Sequence, residues 1–405
     1  MIFSTVTLFR NAYTGLSRRI WLLGAVMLIN RSGTMVLAFM TLYSTHLGFS
    51  IRQAGWVVAI YGMGSIIGAL LGGKISDRFG FYYTQVFALF CGGILFVILG
   101  QMRSYESICI CAFFLSMVNE SFRPANATAI AHYSTPKNRT QSYSLVRLAI
   151  NIGWGVGSAL GGFLASIDYS LLFWVDGATS ITAAVVLLLI LPKVSLLQQK
   201  TPSPDKVVPE KISPYKDRHF LFFCLFTFFF AICFFQLFTT IPLYFKEKLL
   251  LNEFWIGMIM AGNGIFIALF EMVIVYKLEG RHKYLLLMFY GSVLMALSFM
   301  ILNFTALPGL IVAVLFVLII TLSEIIAMPF MNSWYISRTS DVNRGQYAGM
   351  YTISWSAAQV IGSSAGAFLA FRYGFSNLWI LVFGLSLSAG AGYFWLKRKA
   401  KASFI

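Results

Sequence analysis

Seven ionisable residues stand inside apolar runs of this chain: Arg31, Glu120, Arg123, Arg147, Asp176, Glu271 and Glu324. Each charge costs about 2.5–3.5 kcal/mol at the centre of a membrane helix, roughly 20 kcal/mol together unless they pair or face water. They are therefore expected to converge on one another or on a hydrated chamber. The four acids outnumber the three arginines, so one acid has no basic partner in a simple count. Such an acid is a natural carrier for an exchangeable proton. Glu120 and Arg123 are three residues apart, share a helix face and can pair along it. Asn119, Arg123 and Asn126 continue that polar stripe, and Ser144, Arg147, Asn151 and Ser158 form another. Asn30 and Arg31 open a polar patch with Ser32, Gly33 and Thr34 that a lipid-facing helix would not carry. Structural roles compete at several positions. Glu120–Arg123 can simply lock its helix, and Arg147 beside Asn151 can be scaffold. Asp176, just after Trp174, reads as an interfacial cap, and Glu271 can snorkel toward Lys277.

The elements that hold these groups must be membrane helices. Hydrophobic residues make up 59% of the 405 positions and charged residues 11%, against about 45–50% and 25% in soluble domains. A surface with so few charges has to be solvated by lipid. Runs of about 20 apolar residues, the length of one span, lie near 20–44, 54–75, 82–101, 106–132, 141–166, 168–191, 219–245, 254–277, 284–303, 308–335, 345–371 and 376–396. The expected class is an all-α membrane protein of twelve transmembrane helices in two pseudo-symmetric six-helix bundles, 1–192 and 218–405. A polar, proline-bearing cytoplasmic linker at 193–217 joins them. Most of the 30 basic residues, Arg10, Arg18, Arg19, Lys74, Arg78, Lys137, Arg139, Lys277, Arg281, Arg338 and Arg344 among them, fall on one side if both termini are cytoplasmic. The net charge of +16 thus reports on insertion, and no basic tract suggests a nucleic acid. The first run reads as an uncleaved span. Trp56, Trp174, Trp255, Trp379 and Trp395 suit interfacial belts. The dense aromatics Phe226, Phe228, Phe229, Phe230, Phe234 and Phe235 are expected mostly to face lipid, with some walling an apolar cavity. The five cysteines show no metal-ligand spacing. Neither HExxH nor a Walker loop occurs, which argues against an enzyme.

The halves repeat. A shift of 205 residues pairs Pro124 with Pro329, Arg139 with Arg344, Gly157 with Gly362 and Gly161 with Gly366. It also pairs Phe163-Leu164-Ala165 with Phe368-Leu369-Ala370. Duplicated bundles of this kind are characteristic of secondary transporters, which bind substrate between the repeats.

On these features, and on Gly73-Lys74-Ile75-Ser76-Asp77-Arg78-Phe79-Gly80, the chain resembles the major facilitator superfamily. The octapeptide is similar to the superfamily's G-x-L-x-D-R-x-G-R-K loop, with Phe81 and Tyr82 where basic residues are usual. Arg147-x-x-x-Asn151-x-Gly153-x-Gly155-x-Gly157-Ser158-x-x-Gly161 resembles the glycine-rich motif of the twelve-helix drug:proton antiporter branch, with Ser158 in place of its proline. The resemblance implies a latch at the cytoplasmic mouth made by Gly73, Asp77, Arg78 and Gly80, completed by Arg139 and Arg344. Gly157 and Gly161 then serve close packing or a gating hinge. First, fourth, seventh and tenth spans line the cavity in that superfamily, which places Arg31, Glu120, Arg123, Gln236, Glu324 and Asn332 on it, beside Asn30, Asn126 and Arg147. The implied function is transport by alternating access, with proton-coupled efflux of an amphipathic compound foremost. Uptake or export of an anionic metabolite (a peptide, organic acid or siderophore) is the second reading, since buried arginines suit carboxylates. No cofactor is expected beyond a proton or other ion gradient. The expected setting is a bacterial inner or plasma membrane, as a monomer, with a small-molecule substrate and the lipid bilayer as partners.

Overall fold

The computed structural model describes residues 2–192, 213–303 and 307–399. Most of the expected linker, 193–212, lies outside the described residues. The helices are α1 (Ile2–Tyr13), α2 (Arg18–Ser32), α3 (Val36–His46), α4 (Ile51–Phe79), α5 (Phe81–Gln101), α6 (Tyr105–Glu120), α7 (Phe122–Tyr133), α8 (Arg139–Ile167) and α9 (Ser170–Ile190) in the first half. The second half has α10 (Arg218–Glu247), α11 (Glu253–Leu278), α12 (Tyr284–Ile301), α13 (Gly309–Ser337), α14 (Arg344–Tyr373) and α15 (Phe375–Lys399). Every expected span corresponds to one helix, except the first and fourth, which are each a pair. Among the described residues, nine helices are individually long and apolar enough to cross a membrane. The broken spans miss that measure by length, and α14 misses it because it carries Thr352, Ser354, Ser356, Gln359, Ser363 and Ser364.

Each break has a local cause. In span four, Pro124 has no N–H to offer the Glu120 carbonyl, and its ring crowds that carbonyl. The chain tightens there, with Ser121 N donating to Val118 O at 3.2 Å. In span one, Gly33 is a poor helix former. Its neighbours Ser32 and Thr34 bond back to Leu28 O (2.8 Å) and Asn30 O (3.3 Å), a habit that bends helices. Pro329, the repeat mate of Pro124, instead sits inside the unbroken α13.

The chain clusters into two compact units. One holds 16–214 with 338–353, and the other holds 1–15, 215–337 and 354–405. The repeat is visible in geometry as well as in sequence. Thr135 N donates to Asn138 Oδ1 at 2.8 Å just before α8. Ser340 N donates to Asn343 Oδ1 at 3.0 Å just before α14, 205 positions later.

Side-chain burial corrects two expectations. Of the α10 aromatics named above, Phe230 is fully buried and the others are half-buried, so none points wholly into lipid. Phe234 and Phe235 pack edge-on against Trp355 at 5.6 and 6.1 Å between centroids. Packing of α10 against α15 covers much of that helix. Trp379 does not join a belt: it is fully buried and packs on Tyr244, Phe299 and Phe375. Trp56, Trp174, Trp255 and Trp395 are exposed, as an interfacial position requires.

Candidate functional site

The two breaks bring the first-half charges together. Arg123 Nη1 donates to Glu120 Oε2 at 3.2 Å across the step between α6 and α7, so the expected helical pair is present. It is not sealed, since 36% of the Arg123 side chain and 20% of the Glu120 side chain remain exposed. Arg31, at the end of α2, interacts electrostatically with Arg123, Glu120, Tyr61 and Asp176. Tyr61 on α4 lies within electrostatic reach of Glu120, Asp176 and Arg31. The Glu120–Arg123 pair is thus partly open to solvent, with Arg31 as its electrostatic neighbour. Tyr61 was missed in the sequence because a tyrosine in an apolar run reads as packing.

Other expected site residues are drawn elsewhere. Asn30 donates to Ser180 Oγ on α9 at 3.3 Å. Asn126 is 7% exposed and accepts from Gln85 Nε2 on α5 at 3.1 Å. Arg147 lies half-buried on α8. Asn332 donates to Met328 O within its own helix at 3.3 Å. Gln236 is 1% exposed, and both its polar atoms are engaged. Its Nε2 donates to Gly362 O at 2.9 Å and Ile232 O at 3.0 Å, while Oε1 accepts from Thr240 at 2.9 Å. Glu324 is 2% exposed and accepts from Asn263 Nδ2 at 3.0 Å; that same nitrogen donates to Thr321 Oγ1 at 2.8 Å. Asn263, the one amide in the run 254–277, was the available signal for this second-half cluster.

The latch residues divide. Asp77 lies in the last turn of α4 rather than in a loop, and its carboxylate caps the start of α14. Oδ1 accepts from Gly345 N at 2.6 Å and Oδ2 from Gln346 N at 2.9 Å. A helix N-terminus offers unsatisfied N–H groups and a partial positive charge, so a carboxylate fits there. The approach is close enough to require glycine: a Cβ on Gly349 would lie 2.6 Å from Ala69 O. One on Gly345 would lie 2.5 Å from Gly73 O. Arg344 pairs with Asp341 at 2.5 Å and adds electrostatic attraction for Asp77. Arg139 opens α8 at the position equivalent to Arg344. Arg78 stays outside this contact, exposed with its guanidinium 5.3 Å over the Phe79 ring. Gly80 alone connects α4 to α5, at φ +94°. Gly80→Ala is expected to cost about 1–2 kcal/mol, because an L side chain clashes at positive φ; a lowered melting temperature of the purified protein would register it.

The glycine ladder of α8 packs on the break in span one. A Cβ on Gly153 would fall 2.6 Å from Arg31 Cβ, one on Gly157 3.0 Å from Arg31 O, and one on Gly161 2.9 Å from Met35 Cβ. Gly155 and Gly162, on the other side of α8, have nothing within 4 Å. The ladder thus seats the backbone that carries Arg31.

The sequence profile of the Major Facilitator Superfamily matches residues 20–342. The chain belongs to that superfamily. It is a multi-pass membrane transporter of small molecules, not an enzyme. A "Na(+), Li(+), K(+)/H(+) antiporter" of Planococcus maritimus is 24% identical to the transporter, over 91% of this chain and 93% of its own. "Quinolone resistance protein NorA" of Staphylococcus aureus is 22% identical over 59% of this chain and 61% of its own. Among solved structures, the human organic anion transporter MFSD10 (TETRAN) superposes with a TM-score of 0.74 at 14% identity, covering 93% of this chain and 99% of that one. At that identity it speaks for the shared fold.

Proposed function

We propose that this transporter works by alternating access as a proton-coupled exporter of an amphipathic compound, in a bacterial inner or plasma membrane, with both termini cytoplasmic. The observation that carries this reading is the half-open Glu120–Arg123 pair beside Arg31. A carboxylate that is neutralised by an arginine yet reaches water can exchange a proton for a substrate group. Glu324, held by Asn263, is the second coupling acid. The antiporter and drug-resistance names of two relatives support exchange as the mode. The half-buried Phe234 and Phe235, packed on the buried Trp355, supply an apolar wall suited to such a substrate. A proton entering down 100 mV yields about 2.3 kcal/mol, enough for roughly a forty-fold gradient of a neutral solute.

The test is transport in proteoliposomes under an imposed pH gradient, with ethidium as amphipathic cation and carboxyfluorescein as anion. Glu120→Gln is expected to abolish pH-driven accumulation while preserving exchange of solute across the membrane. Unchanged pH-driven transport in both Glu120→Gln and Glu324→Gln would eliminate proton coupling. The second reading, transport of an anionic metabolite, draws on one observation: Arg31 Nε is buried without a hydrogen-bond partner among the described residues. Arg31→Gln discriminates, since selective loss of carboxyfluorescein transport favours the anion and uniform loss does not.

A further inference from the structure

Two groups that the sequence sets at a membrane interface are buried instead: Trp379, described above, and Asp176, which is 2% exposed and accepts from Val36 N at 2.9 Å and Met35 N at 3.3 Å. Trp395 keeps its place at the surface, 38% exposed near the end of α15. Its ring packs edge-on against Phe222 of α10 at 5.2 Å between centroids. The Lys399 ammonium stands 4.7 Å from the centre of the same indole, a cation–π contact. One residue back, Phe394 packs against Phe289 of α12 at 5.4 Å. Lys397 and Arg398 stand over Phe394 at 5.3 and 4.8 Å. The end of α15 thus carries three cations on two ring pairs, one pair shared with each neighbouring helix, and Arg398 and Lys399 are exposed.

This end of the unit is basic on its other elements too. Lys216 and Arg218 stand at the start of α10 and Lys283 just before α12, all exposed. The acids beside them are committed elsewhere: Asp217, 6% exposed, accepts from Phe220 N at 3.1 Å, and Glu279 accepts from the Tyr284 hydroxyl. At the opposite end the signs are mixed, with Glu247 between Lys246 and Lys248. The repeat shows that the basic turn is an addition. α9 ends at Ile190, which the shift of 205 carries to Trp395, and Pro192 follows closely. α15 runs on to Lys399, and the added turn holds all three cations. Leu189 and Ile190 occupy the positions of Phe394 and Trp395. Insertion asks only that basic residues lie on one side; it does not ask for aromatic seats beneath them.

We propose that the end of α15 is a binding site for an anionic phospholipid, with the headgroup phosphate on Arg398, Lys399 and Lys397 and an acyl chain along Trp395 and α10. Charge complementarity selects the headgroup, since basic clusters at the end of a membrane helix attract anionic lipid. The apolar surface selects a lipid over a free anion. Phe222 and Leu225 of α10 are each 43% exposed, on the helix that packs against Trp395. A soluble phosphate would use the cations and leave those side chains bare. Indole rings favour the headgroup level, and stacking on Trp395 and Phe394 holds the cations there. The site is independent of the coupling ion and of the direction of transport.

Native mass spectrometry of the purified protein in detergent, titrated with dioleoyl phosphatidylglycerol and with dioleoyl phosphatidylcholine, counts bound lipids directly. The wild type is expected to prefer phosphatidylglycerol by about tenfold or more. Combined Lys397→Gln, Arg398→Gln and Lys399→Gln should remove most of that preference. A matched set at the opposite end, Lys246→Gln, Lys248→Gln and Arg372→Gln, should keep it. Equal binding of the two lipids by the wild type overturns the proposal, as does a preference that survives the first set or is lost equally in the second. Excess inorganic phosphate should leave the lipid bound; its displacement would make this a site for free phosphate and refute the lipid. Should the first set not fold, Arg398→Gln and Lys399→Gln are measured singly, each expected to weaken the preference about fivefold. No change in either refutes the site. Lipid counting involves no transport step, so failure of the proton-coupling reading and failure of this one are told apart.

Discussion

Asp77→Ala is expected to cut transport at least tenfold while the protein stays folded. Asp77 accepts two backbone N–H groups, from Gly345 and Gln346, at 2.6 and 2.9 Å. Hydrogen bonds to a charged group contribute about 1.5–3 kcal/mol each, and the carboxylate also meets the positive end of α14. Under the alternating access proposed above, removing a few kcal/mol from the state that holds this contact shifts the equilibrium by one to two orders of magnitude. No core residue is lost, because Asp77 lies at the half-buried end of α4. Asp77→Asn is expected to do nearly as much harm, since its amide nitrogen confronts one of the two donors. Hydrogen exchange gives a local readout: the Gly345 and Gln346 amides should exchange markedly faster in Asp77→Ala. Unaltered exchange at those amides would mean that the carboxylate is not holding them.

Gly153→Val is expected to lower both folding stability and transport sharply. A Cβ there meets Arg31 Cβ at 2.6 Å and the Arg31 carbonyl carbon at 3.0 Å. Backbone atoms cannot step aside, and overpacking of this kind costs about 1–3 kcal/mol or more. The neighbouring glycines supply a graded series. Gly157→Ala, with Arg31 O at 3.0 Å, should be milder. Gly155→Ala, with open space around it, should be neutral or slightly stabilising, since alanine is the better helix former by about 1 kcal/mol. Melting temperatures ranked Gly155→Ala, Gly157→Ala, Gly153→Val from highest to lowest would establish that the ladder exists to seat span one. A flat ranking would rule that out.

The glycine spacing was legible in the sequence, but its partner was not. A run of glycines on one helix face declares that something comes close; only the packed bundle shows that this is the Arg31 backbone. Glu120 and Arg123 were legible for the opposite reason, since a three-residue spacing settles their encounter within one helical turn. Asn126 looked like a third member of that stripe, yet Gln85 on α5 takes its oxygen. Gln236 likewise carried a cavity expectation, and Gly362 with Thr240 accounts for its amide. Both amides face an adjoining helix, and which neighbour a face meets is not a property of the face.

What the sequence alone determined are quantities set within one or two turns of chain: where the apolar runs lie, that two six-span copies follow one another, and which acids and arginines stand inside those runs. Bilayer thickness and helical rise convert such local counts into spans without any knowledge of neighbours. What only the tertiary structure decided are the partners of buried polar groups. Asp77 finds its donors 268 and 269 positions away and Asp176 finds its own 141 and 140 away. The physical reason is that backbone N–H groups left open by a helix start must be satisfied by whichever side chain the packing delivers, and distance along the chain does not constrain that choice.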